Sequence, residues 1–206
     1  MIDHDLLKHR AEFRRALNNH QYEVSDEGIY FPKQHAIAAG VYIHDVNGLD
    51  ERIDKNLLTR EGMVHMLDTE FHDGTKVSTW YIKLFSGNYT VVDTWAGANF
   101  KDDAAEIYSN TEGYSETTAP AYVEAAAVGA TNSASISNAA SKAAFTIVRT
   151  TDPAAALSVW GAALSSVSTK GGTTGTLMSA SKFAAVRTLY NTDVFNVAYS
   201  LTLSST

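Results

Sequence analysis

The chain has 206 residues, 45% of them hydrophobic, a formal net charge of -7 and no cysteine. That size and apolar content support one sizeable domain and exclude wholesale disorder. The negative balance, with no basic cluster denser than Lys8, Arg10, Arg14 and Arg15, argues against direct binding to nucleic acid or an anionic membrane. The absence of cysteine excludes a disulfide framework and cysteine-ligated zinc.

The opening MIDHDLLKHRAEF lacks the apolar core of a signal peptide, and no run of 18 apolar residues reads as a transmembrane helix. The expectation is a protein made in a cytoplasm and kept or assembled there. Residues 3–18 carry a helical period, with Leu6, Phe13 and Leu17 on one face and Asp3 as N-cap. The stripe is narrow, so the helix needs a partner surface. Residues 19–58 hold two short apolar pieces, 28–31 and 36–46, interrupted by Pro32 and Gly40 and closed by the Asn47-Gly48 turn signal. Residues 1–58 therefore read as a helix and extended arm with little core of its own. Its aromatics Tyr22, Tyr30, Phe31 and Tyr42, with Phe13, Leu17, Val41 and Ile43, are the candidate subunit-interface residues. A piece too short to bury them must do so against something else.

Thr59 caps a predicted helix over TREGMVHMLDTEF, with Met63, Met66 and Leu67 on one side and Gly62 weakening its first turn. From Lys76 onward strand signals recur: 77–85, 90–95, 121–128, 133–137, 144–148, 157–166, the TLMSASKF run, and 193–205, with a short helix over 101–108. Short strands in this number fit an antiparallel jelly roll or β-sandwich over 59–206. Its expected core is Trp80, Ile82, Leu84, Phe145, Ile147, Trp160, Val197 and Leu201.

Candidate chemistry is sparse. All seven histidines lie between His4 and His72. His65, Asp68, Glu70 and His72 carry metal-ligand atoms, but no H-E-x-x-H spacing is present, and histidines in a polar link are more often solvated. His44-Asp45 invites a hydrolase reading, yet no G-x-S-x-G elbow accompanies it. In KGGTTG (170–175) the lysine precedes the glycines, the reverse of a phosphate-binding loop. No catalytic residue, cofactor or metal is assigned.

Four runs carry a resemblance: VSTWYIKLFSGNYT (77–90), YSETTAPAYVEAAAVGATNSASISNAASKAAFTIV (114–148), VWGAALSSVSTKGGTTGTLMSASKF (159–183) and DVFNVAYSLTLSS (193–205). Together they resemble virion proteins of tailed bacteriophages, with an S-T-W-Y start, an Ala/Ser-rich middle, a W-G-A strand and a D-x-x-N-V terminal strand. The resemblance implies a jelly-roll capsid cement or decoration protein located on the virion. Its partners would be the major capsid protein and neighbouring copies of itself, with the arm reaching across in trans. Tail, neck or head-fibre parts of the particle are the alternative. A metal-dependent β-sandwich enzyme centred on His65, Asp68 and His72 is the alternative from another class.

Overall fold

The computed structural model describes residues 23–25, 28–30 and 36–205. The predicted helix over 3–18 and the candidate residues Phe13, Leu17, Tyr22 and Phe31 lie outside the described residues. Strands β1 (Glu23–Ser25) and β2 (Gly28–Tyr30, which ends on candidate residue Tyr30) pair antiparallel as a small ribbon.

The larger compact unit, Ala38–Leu203, is built from two packed sheets. The first sheet contains β3 (Ala36–Val46), β4 (Leu49–Lys55), β8 (Val128–Ala130), β9 (Ser133–Ser137), β10 (Ala143–Thr146) and β13 (Val194–Ser205). Its order is β4-β3-β13-β9-β8, and β10 pairs with the start of β13. The second sheet contains β5 (Leu57–Leu58), β6 (Trp80–Phe85), β7 (Ala121–Tyr122), β11 (Leu157–Ser165) and β12 (Leu177–Leu189), in the order β5-β12-β11-β6-β7. Among the described residues, two helices stand outside the sheets, α1 (Arg60–Phe71) and α2 (Phe100–Asp103). The fold is mainly β with antiparallel sheets, as the short alternating runs predict.

Between the sheets, Tyr42, Phe145, Phe195, Val197 and Tyr199 pack against Ile82, Leu84, Val159, Leu164 and Phe183. The strands of the second sheet are buried on both faces, because a second cluster of Phe85, Trp95 and Phe100 covers the far side. Phe85 meets Trp95 and Phe100 edge-to-face, with centroids 5.6 and 6.1 Å apart. Gly161 pairs across the sheet with Phe85. A Cβ there would lie 2.1 Å from the Phe85 ring, so the ring occupies the space that only a glycine leaves.

Several sequence expectations change here. Residues 38–58 belong to the sandwich, because β3 and β4 form a hairpin on the edge of the first sheet and β5 joins the second. The Asn47-Gly48 turn has positive φ at both positions, 53° and 76°, the form that matches strand twist. Tyr42 is fully buried in its own sandwich, and its hydroxyl meets Ser179 Oγ at 3.0 Å; Val41 and Ile43 are half-buried on the opposite face of β3. Trp80, Trp160 and Leu201 are only partly buried. For Trp160 the reason is a register shift between Val159 and Gly161, which moves it to the outer face, where Lys182 lies 5.6 Å from its ring centroid. Residues 90–95 form turns rather than a strand, and the short helix covers 100–103 rather than 101–108.

Candidate functional site

Three groupings stand out, and the first surrounds His44. Its ring is fully buried, stacked on Phe183 at 3.8 Å between centroids. Nε2 lies 2.8 Å from Asp54 Oδ2, and Arg187 Nε donates to Nδ1 at 2.9 Å. Because Arg187 can only donate, Nδ1 must accept and Nε2 carries the hydrogen. Arg187 also donates to the carbonyls of His44 (3.1 Å) and Asp50 (2.6 Å). Burial holds the His44 pKa below its ordinary value, against the pull of the Asp54 hydrogen bond. A general base needs a free ring nitrogen facing its substrate. Both nitrogens of His44 are taken, so this geometry clasps the sheets together. The neighbouring Asp45 holds Lys142, Asn196 and the Gly48 N–H, each at 2.8 Å.

The second grouping lies under the loop 170–175. Lys83 and Glu106 form a buried ion pair at 3.2 Å. Lys83 Nζ also donates to the Thr169 carbonyl, and Gly171 N–H donates to Glu106 Oε1. Glu106 Oε2 and the Tyr114 hydroxyl are buried without hydrogen-bond partners. Burial raises the Glu106 pKa despite Lys83. Lys170 donates to Asn110 Oδ1 and to the carbonyls of Tyr114 and Glu116, at 2.6, 2.9 and 2.9 Å, and sits 3.6 Å from the Tyr114 ring centroid. Burial pushes its pKa down to about 8, so the ammonium stays charged at neutral pH. All three of its protons are directed at this chain's own oxygens, an arrangement that fastens the 109–116 segment.

The third grouping is helix α1. Its N-terminal turn is pinned to the sandwich. The Thr59 hydroxyl accepts from Gly62 N–H and donates to the Leu177 carbonyl. Glu61 accepts from the Gly97 and Leu177 N–H groups at 2.8 and 2.7 Å, and Arg60 pairs with Asp93. A Cβ at Gly62 would lie 2.3 Å from the Met178 carbonyl oxygen, so the helix backbone rests directly on β12. This fixes the rotation of the helix. Met66 and His65 turn inward, with the His65 ring edge-on to Trp80. Met63, Val64, Leu67 and Phe71 turn outward within one 100° arc, and Phe71 is 85% exposed. The sequence grouped Met63, Met66 and Leu67 on one side. The anchoring at Gly62 divides them, with Met66 packed against the core and Met63 and Leu67 exposed, and an isolated helical wheel carries no trace of it.

The histidine-and-acid set is spread around the same helix. Asp68, Glu70 and His72 are exposed, and His72 faces Asp73 at 3.2 Å. Among the described residues no three His, Asp or Glu side chains gather as a metal site.

No family model, curated protein or solved structure matches this chain.

Among the described residues, the apolar stripe of α1 is an arrangement without an internal role. A rigid, preoriented apolar helix face offers buried area to another molecule at little entropic cost.

Proposed function

We propose that this chain is a structural virion protein of the capsid cement type, which stabilises the shell of a tailed bacteriophage by bridging major capsid subunits. The single observation that carries the reading is the pinned helix α1 with Met63, Val64, Leu67 and Phe71 facing solvent. Four exposed apolar side chains on a helix anchored by Thr59, Glu61 and Gly62 need a partner to bury them. The mainly β fold and the resemblance of the strand and turn runs to phage virion proteins support the same reading. The engaged nitrogens of His44 and the inward-directed donors of Lys170 fit a scaffold better than a reaction centre.

In this role the sandwich sits over a junction between capsid subunits, and α1 supplies the apolar contact. The test is a cryo-EM map of the parent particle. Density for the sandwich over the shell lattice, with α1 against capsid protein, supports the reading. Density confined to the neck, tail or fibres replaces it with the alternative virion role, and absence from the particle overturns both.

A further inference from the structure

A buried lysine held against a buried carboxylate carries a conclusion about covalent structure. Lys83 sits on β6, and residues 105–107 run beside the end of that strand. Ser86 N–H donates to the Ala105 carbonyl and Ile107 N–H to the Leu84 carbonyl, both at 2.9 Å. With the backbones joined in this way, the Lys83 and Glu106 side chains meet at 3.2 Å, Nζ to Oε1, and are 3% and 0% exposed. Both partners are therefore fixed before any reaction.

As an ion pair this arrangement is only half satisfied. Two charges are taken out of water, a cost that a buried pair offsets only when its remaining polar atoms are bonded. Oε1 accepts from the Gly171 N–H at 3.1 Å, but no protein group reaches Oε2. Burial raises the Glu106 pKa, which favours the uncharged acid. An amide between the two side chains would remove both charges and the unbonded oxygen in one step.

We infer that Lys83 and Glu106 condense into a side-chain amide, a covalent staple between β6 and the 105–107 segment. Starting from the ion pair, one ammonium proton passes to the carboxylate and leaves a neutral amine beside a carboxylic acid. The nitrogen lone pair attacks Cδ, and negative charge gathers on Oε1, where the Gly171 N–H stabilises it. The Cδ–Oε2 bond then breaks, and Oε2 leaves with a second proton from nitrogen as water. No oxidant or cofactor enters the balance. The way out is short, because Lys83 Nζ also reaches the carbonyl of Thr169, an exposed residue. Groups held in reacting geometry behave as though present at roughly 10⁵ M or more, which offsets the unfavourable equilibrium of condensation in water. The inference uses no residue of α1 and does not depend on the capsid reading.

Mass spectrometry of the full-length protein tests this directly. The denatured chain should be lighter than its residues sum to by one water. Trypsin does not cut at an acylated lysine, so residues 77–101 should stay joined to 102–142 as one branched peptide, and free 77–83 should be missing. Lys83→Arg keeps a cation that does not condense, and it should show the full mass and no branched peptide. A wild-type chain of full mass that releases 77–83 after prolonged incubation overturns the inference and leaves an ordinary ion pair. Water loss without the branched peptide also overturns it, because the Asp73-Gly74 pair can lose water as a cyclic imide.

Discussion

Arg187 donates its Nε–H to Nδ1 of His44 at 2.9 Å, and this bond dictates the protonation state of a fully buried imidazole. With Nδ1 held as acceptor, the ring hydrogen sits on Nε2 and points at Asp54. The contact ties β3 and β4 of the first sheet to β12 of the second. Adding a proton at Nδ1 would set N–H against N–H.

The clasp makes stability depend on pH in a defined direction. Facing His44 are Asp50, Arg52 and Asp54 from β4, Arg187 and Phe183 from β12, and Phe195 from β13. Burial lowers the folded-state pKa below 6.5, so below about pH 6.5 the unfolded chain binds a proton that the folded chain refuses. Stability attributable to His44 is therefore full above pH 6.5 and falls as pH drops toward the lower folded value, by at most about 1.4 kcal/mol per pH unit. The raised pKa of Glu106 acts in the opposite sense, so the difference between wild type and His44→Gln isolates the effect. Denaturant midpoints at pH 7.5, 6.5 and 5.5 should converge as pH falls; a constant gap would contradict the tautomer assignment.

The buried pair Lys83–Glu106 gives a second prediction. Lys83→Met leaves the Glu106 carboxylate buried with only the Gly171 N–H, which should cost about 3–5 kcal/mol at neutral pH. Burial already raises the Glu106 pKa, and removing Lys83 raises it further. The loss should shrink as pH falls toward 5 and Glu106 takes up a proton. Urea titrations at pH 7.5 and 5 would show this, and a loss independent of pH would mean that the carboxylate is not the strained group.

Gly62→Ala sets two effects against each other. Helix propensity favours alanine by up to about 1 kcal/mol. The Met178 carbonyl lies 2.3 Å from where the new Cβ would sit, and neither backbone can retreat while Thr59 and Glu61 hold the turn. The contact should win, with a net drop in the thermal midpoint. A rise would show that α1 is not seated on β12.

Much of this architecture is legible in the sequence, for local reasons. The alternation of Phe195, Val197 and Tyr199 with Asn196 and Ala198, the Asn47-Gly48 turn and the Thr59 cap are written in neighbouring residues. What escapes is set by distant ones. The strand 36–46 reads as an arm because its partner β13 lies some 150 positions later. The outward turn of Met63 and Leu67 depends on Met178, and the partial burial of Trp160 depends on a bulge. The His44–Arg187 clasp joins residues 143 positions apart, with no motif to announce it. The candidate interface residues divide accordingly, with Tyr42 facing its own core and Val41 and Ile43 half-buried on the opposite face of β3.

The central claim, that α1 is a docking face for a capsid shell, is tested most directly by the occupancy of the full-length protein on purified particles, compared with that of the double variant Leu67→Asp, Phe71→Asp. Both positions are exposed, so the isolated variant should unfold within about 0.5 kcal/mol of wild type. Quantitative mass spectrometry should then find wild type in many copies per particle and the variant nearly absent. Equal occupancy of the two chains would contradict the account.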